Sequence, residues 1–246
     1  MLGLPDTIRA CLFDLDGVLT QTAKVHKAAW RQTFEDFLRG RDPDSFQPFT
    51  DADYNEYVDG KPRRDGVRDF LASRGIDLPE GDPEDAPDAN TIAGVGNRKN
   101  VLLLRQIEEH GVEVYEGSVR YARAAKDAGL LSAVVTASAN GEQVIAAAGY
   151  ADLITVRIDG VVAARDGLKG KPAPDTFLAG AKALGVEASE AAVFEDALAG
   201  VAAGRAGDFG YVVGVDRVGQ AAALRERGAD IVVQDLDELL DESGQQ

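Results

Sequence analysis

Short apolar runs recur along this chain at 8–13, 130–135, 191–194, 211–215 and 231–233. Each is the length of a buried strand and is bounded by turn residues. From residue 117 onward the runs alternate with stretches of helical spacing at 118–128, 140–148, 174–184, 197–205 and 221–227. Parallel strands cannot be joined by a tight turn, and the usual crossover is a helix, so this alternation predicts a parallel sheet covered by helices on both faces. The interval after the first run breaks the pattern. Residues 21–112 read as helices at 22–38, 46–58, 64–74 and 97–110, separated by polar turns and a loop rich in Pro, Asp and Gly at 75–89. The expected architecture is therefore α/β: a doubly wound parallel-sheet (Rossmann-like) core from 1–20 and 113–246, with an α-helical cap domain inserted at 21–112. A short strand is expected at 153–155, a hairpin at Asp159-Gly160 within 156–162, and a short helix at 236–240.

The first run ends in Phe13-Asp14-Leu15-Asp16-Gly17-Val18. Two carboxylates so close repel each other and raise each other's pKa, unless a cation, a lysine or solvent offsets them. In an open α/β sheet the carboxyl ends of strands are also where ligands bind. The pair fits a metal-dependent site for an anionic substrate, and it equally fits a solvated acidic turn. Three later stretches share its position. Thr136-Ala137-Ser138-Ala139-Asn140 joins a strand to a helix, where free backbone N–H groups suit a phosphate and where Ser138 or Asn140 could equally be a plain cap. Gly170-Lys171-Pro172-Ala173-Pro174 places a lysine at a loop-to-helix junction, able to neutralise an anion or simply exposed. Glu195-Asp196 closes the run at 191–194 with a second acidic pair. Carboxylate oxygens from two strand ends compose a hard-cation site of the kind Mg²⁺ takes.

The totals restrict the partners. A net charge of -16 over 246 residues argues against a nucleic-acid or anionic-membrane partner, while a phosphorylated small molecule remains compatible through local cations. Cys11 is the single cysteine and lies in an apolar run, which fits a core position in a reducing cytoplasm. Residues 1–6 carry no basic segment followed by a long apolar one, so no signal peptide is expected there. No stretch reaches the roughly 18 apolar residues of a membrane span.

The ordered set Asp14-Leu15-Asp16-Gly17-Val18, Thr136, Lys171-Pro172 and Glu195-Asp196 resembles the four motifs of the haloacid dehalogenase superfamily of phosphotransferases, over essentially the whole chain. It is similar to the phosphatase and phosphomutase branch with a helical cap. The resemblance implies that Asp14 attacks phosphorus, that Asp16 is general acid and base and lends its backbone carbonyl to Mg²⁺, that Thr136 and Lys171 hold the transferring phosphoryl, and that Glu195 and Asp196 complete the metal site with Asp14 and Asp16. Further likeness to the sugar-phosphate mutases of that branch lies in Thr22, His26 and Trp30, in Gly60-Lys61-Pro62-Arg63, in Lys99-Asn100, and in Thr136-Ala137-Ser138 with Asn140. It implies that His26 positions Asp16, and that Thr22, Trp30, Gly60, Arg63, Lys99, Asn100, Ala137, Ser138 and Asn140 bind substrate. The implied reaction interconverts β-D-glucose 1-phosphate and glucose 6-phosphate through a bound glucose 1,6-bisphosphate; a simple Mg-dependent sugar-phosphate phosphatase would need the same four motifs. A cytoplasmic monomer acting on a small phosphorylated sugar is expected. Ala139 stands where that branch typically has a lysine, which removes one positive charge from the loop assigned to the second phosphate.

Overall fold

The computed structural model describes residues 2–44 and 46–240. They form two compact units: one holds the residues up to Gln21 together with those from Val112 on, and the other is Thr22–Gly111.

The first unit is built on six parallel strands: β1 (Ala10–Phe13), β2 (Leu131–Val135), β3 (Val156–Ile158), β4 (Ala191–Glu195), β5 (Tyr211–Val215) and β6 (Ile231–Val233). Their spatial order is β3-β2-β1-β4-β5-β6. The chain winds outward from β1 in one direction and, from β4, in the other, so the order reverses between β1 and β4. A crevice opens at the carboxyl ends of the strands at such a reversal. Register places Phe13 opposite Val134 on one side and Phe194 on the other. Asp14, Thr136 and Glu195-Asp196 thus emerge together at one edge of the sheet.

Alternation along β1 explains why both faces are covered. Ala10 and Leu12 join a core with Ala133, Val135, Phe177, Ala181, Val193, Val201 and Leu224. Phe13 points the opposite way and stacks on Phe194 at 4.7 Å, with Tyr121 at 6.4 Å and 5.3 Å from the two rings. Tyr121 belongs to a helix at Glu116–Asp127, and Phe177 to one at Asp175–Leu184.

The other unit is helical, with long helices at Thr22–Arg41 and Ile92–His110 and a shorter one at Arg63–Ser73. Its core is aromatic. Phe34 lies 4.2 Å from Phe70, 5.0 Å from Trp30 and 5.2 Å from Phe49, measured between rings. Numbered in chain order, the helices are α1 (Thr22–Arg41), α2 (Asp51–Asp53), α3 (Arg63–Ser73), α4 (Ile92–His110), α5 (Glu116–Asp127), α6 (Gly141–Ala147), α7 (Gly160–Asp166), α8 (Asp175–Leu184), α9 (Leu198–Ala206) and α10 (Ala221–Glu226).

Four local expectations are corrected. The edge strand is not 153–155 but β3, because Val156 and Ile158 are the residues that reach the core while Leu153 closes a turn onto Tyr150. No hairpin forms at Asp159-Gly160; Asp159 is instead the N-cap of α7, its Oδ1 accepting from the N–H groups of Val161 and Val162 at 3.0 Å and 2.9 Å. The helix expected at 46–58 begins only at Asp51, where Thr50 and Asp53 form a capping box, and continues as a π-helical turn over Tyr54–Val58. Helix α4 starts at Ile92 rather than 97, capped by Thr91. Its glycines argue against a helix by propensity, yet a Cβ at Gly94 would lie 2.4 Å from the Ala89 carbonyl oxygen and one at Gly96 3.2 Å from Arg63 Cγ. Close packing overrides propensity there.

Candidate active site

Asp14 follows β1 directly, and its backbone N–H donates to the Phe194 carbonyl at 2.9 Å. That bond extends the sheet pairing by one residue and fixes where the Asp14 side chain begins. Lys171, from the loop before α8, donates to Asp14 Oδ1 at 2.6 Å, to Glu195 Oε2 at 2.8 Å and to the Val135 carbonyl at 3.0 Å. All three side chains are buried. A lysine with all three protons engaged is a fixed point charge rather than an exposed loop cation.

Asp14, Glu195 and Asp196 each present an atom within 4.8 Å of the other two. Burial pushes the Asp14 carboxyl up to about 6, with Lys171 opposing and Asp16 adding to the rise. Burial, then the Asp14 charge, pushes Glu195 up to about 8, against the pull of Lys171. For Lys171, burial works against the charge, but Asp14 and Glu195 outweigh it and hold the ammonium above its ordinary range. Three buried carboxylates against one buried ammonium leave an excess of negative charge. A hard divalent cation with oxygen ligands would offset that excess, so the donor set fits Mg²⁺.

Two glycines make this density possible. Gly17 has φ +99°, and a Cβ there would fall 1.9 Å from Asp196 Oδ2. Gly200, in the first turn of α9, would place a Cβ 2.1 Å from Glu195 Cδ. The two acidic carboxylates therefore pack directly against backbone.

On the other side of β1, Thr136 Oγ1 donates to Asp16 Oδ2 at 3.3 Å and accepts from the Ser138 N–H at 3.1 Å. Ser138 Oγ accepts from the Asn140 N–H at 3.2 Å. The loop 136–140 is held by its own hydroxyls, and Asn140, the N-cap residue of α6, makes no side-chain cap bond. Gly160 anchors the loop by donating its N–H to the Ser138 carbonyl at 2.9 Å.

In the helical unit, α1 and α4 bring His26, Trp30 and Lys99 together. Lys99 Nζ lies 3.1 Å from His26 Nδ1 and 5.1 Å from the centre of the Trp30 ring. An ammonium only donates, so Nδ1 accepts and the ring proton sits on Nε2. Burial, with the Lys99 charge, holds the imidazole well below its ordinary pKa and hence neutral. Arg63 is the first residue of α3 and packs its stem over Gly96. Gly60 takes φ +71° in the turn ahead of it. Thr22 is buried at the start of α1, and Asn100 follows Lys99 on α4.

The structure brings in residues that the sequence reading passed over. Arg217 and Gln220, in the loop after β5, donate to the Gly17 carbonyl at 2.9 Å and to the Asp196 carbonyl at 3.0 Å. Asp216 stands at the carboxyl end of an apolar run, the signal that singled out Asp14 and Asp196, and would have directed attention to this loop.

A sequence profile of the haloacid dehalogenase-like hydrolases matches residues 8–208, and the chain belongs to that family. It is 53% identical over 247 residues to a Mycobacterium bovis protein named beta-phosphoglucomutase, covering 98% of this chain and 94% of the relative. It is 30% identical over 243 residues to the validoxylamine A 7'-phosphate phosphatase of Streptomyces hygroscopicus, covering 94% and 95% of the two chains. Among solved structures, the beta-phosphoglucomutase of Clostridium difficile superposes with a TM-score of 0.75 at 25% identity, over 96% of this chain and 94% of that one. Among the described residues no helix is long and apolar enough to cross a membrane.

Proposed function

We propose that this chain is a phosphomutase interconverting β-D-glucose 1-phosphate and glucose 6-phosphate. The observation that carries the reading is the 53% identity to a protein named beta-phosphoglucomutase over nearly the full length of both chains, helical unit included.

The arrangement around Asp14 supports the chemistry. Asp14, carrying a phosphoryl group, gives it up as the C6 hydroxyl of β-glucose 1-phosphate attacks phosphorus and passes its proton to Asp16, which forms glucose 1,6-bisphosphate. Asp14 then attacks the phosphorus at C1; the bond to the C1 oxygen breaks as Asp16 returns the proton to that oxygen, and glucose 6-phosphate leaves with Asp14 phosphorylated again. A carboxylate approaching a dianionic phosphoryl group needs positive charge close by, and the buried Lys171 ammonium stands 2.6 Å from Asp14 Oδ1. Thr136 and Lys171 hold the transferring phosphoryl group, and Ala137, Ser138 and Asn140 bind substrate in the loop assigned to the second phosphate. Mg²⁺, held by Asp14, Glu195, Asp196 and the Asp16 backbone carbonyl, would supply further charge neutralisation. His26 is the positioning group for Asp16; Thr22, Trp30, Gly60, Arg63, Lys99 and Asn100 of the helical unit select the sugar and its second phosphate. The working form is a cytoplasmic monomer with no nucleic-acid or membrane partner.

A second reading, a Mg-dependent phosphatase of a small sugar phosphate, is favoured by Ala139 in the 136–140 loop and by the 30% identity to the validoxylamine A 7'-phosphate phosphatase. Product partition separates the two. With Mg²⁺, β-glucose 1-phosphate and a trace of glucose 1,6-bisphosphate, the mutase reading predicts glucose 6-phosphate with little free phosphate. Free phosphate as the main product would establish the phosphatase instead.

A further inference from the structure

Asp16 sits on a tight turn that satisfies only part of its own backbone. Gly17 donates to the Thr20 carbonyl at 2.7 Å, and the Leu15 carbonyl accepts from the N–H groups of Leu19 and Thr20 at 3.1 Å and 2.9 Å. The carbonyls of Gly17 and Val18 find their donors elsewhere. Arg217 Nε donates to Gly17 at 2.9 Å and its Nη2 to Val18 at 3.5 Å, while Ser118 Oγ donates to Val18 at 2.7 Å. The same guanidinium lies 3.5 Å over the Tyr115 ring, donates to the Gln234 carbonyl and pairs with Asp235 Oδ2 at 3.6 Å. Its side chain is only 13% exposed.

The loop that carries Arg217 is itself locked. Asp216 Oδ1 accepts from the N–H groups of Val218, Gly219 and Gln220, and Oδ2 from that of Ala221. Gln220 then reaches the Asp196 carbonyl. One rigid loop thus grips both the Asp16 turn and the backbone of Asp196, whose carboxylate packs on Gly17.

We propose that Arg217 is a positioning residue for Asp16: its planar guanidinium fixes the Gly17 and Val18 carbonyls and so sets the direction of the Asp16 carboxylate. A planar fork of N–H donors that also stacks on a ring is specific to arginine, and a lysine offers a single charged point. The assignment rests on the reading of Asp16 as the acid–base group. A sugar hydroxyl oxygen is a poor leaving group and needs a proton as it departs, whereas acetate leaving from acetyl phosphate needs none.

The test compares wild type with Arg217→Gln and Arg217→Lys, each checked for folding by circular dichroism. For turnover of β-glucose 1-phosphate the expected result is a kcat loss of about 100-fold in both variants, the range a general acid–base group supplies, with KM changed less than about threefold. Labelling of the protein by acetyl phosphate stays within about threefold of the wild-type rate. Should Arg217→Gln not fold, Arg217→Lys decides. Parallel loss with both donors, or unchanged sugar turnover, overturns the assignment while leaving the Asp14–Asp16 chemistry in place. A wild-type protein that neither turns over sugar phosphate nor takes a phosphoryl group from acetyl phosphate overturns that chemistry, and the assignment with it.

Discussion

Glu195 is held in place by what its neighbours lack. Its carboxylate bonds Lys171 on one oxygen and the Ala197 N–H on the other, at 2.8 Å and 3.2 Å, in space left by the missing side chain of Gly200. A methyl group at residue 200 would drive the carboxylate away, and Lys171 would lose one of its two anionic partners. Gly200→Ala should therefore cost about 1–3 kcal/mol of stability through overpacking. Activity should fall by at least about tenfold, the cost of roughly 1.4 kcal/mol at the transition state. Urea unfolding and steady-state turnover read the two effects, and a variant with wild-type stability and rate would refute the packing argument. The carboxylates and Lys171 were legible in the sequence through the ordered set of motifs they form together, although each alone also fits a solvated turn or an exposed loop. The role of Gly200 was not, since a glycine in the first turn of a helix carries no sign of what packs against it.

At the scale of elements, the strands after residue 117 could be read from apolar runs and intervening turns. The misreadings fall where one short signal serves two structures. Asp159-Gly160 suits a hairpin and also a helix N-cap, and only the pairing of β3 with β2 decides for the cap. Gly94 and Gly96 hid the first turn of α4 because their value lies in contacts with Ala89 and Arg63, far from helix propensity. The pairing of α1 with α4 was equally hidden, and it has a consequence for pH. His26 is buried beside Lys99, so charging its ring is opposed in the folded state. The native chain then binds fewer protons than the unfolded chain below the ordinary histidine pKa of about 6.5. Stability from this group is full above that value and is lost as pH falls beneath it. Between pH 7.5 and 5.5 the wild-type protein should lose about 1.4 kcal/mol more than His26→Gln. Chemical denaturation at the two pH values measures the difference, and equal losses would show that His26 charges as freely in the folded protein as in the unfolded one.

For the molecule as a whole, the sheet order sets the strand-end motifs of β2, β1 and β4 side by side across the reversal between β1 and β4, which is why residues 14, 136, 171 and 195 come together from four distant parts of the chain. Sequence order alone shows which segments are strands. It does not show which strands are neighbours, and so it could flag the motifs without showing the loop after β5 that supports them. The account depends most on Asp14 as the group that receives the phosphoryl. The most direct measurement is to mix the protein with Mg²⁺ and glucose 1,6-bisphosphate, quench in acid, and locate phosphate on the digested peptides by mass spectrometry. The account predicts a phosphoryl group on Asp14 and none on the Asp14→Asn variant, which is also inactive. Phosphate on any other residue, or an Asp14→Asn variant that keeps its activity, would contradict it.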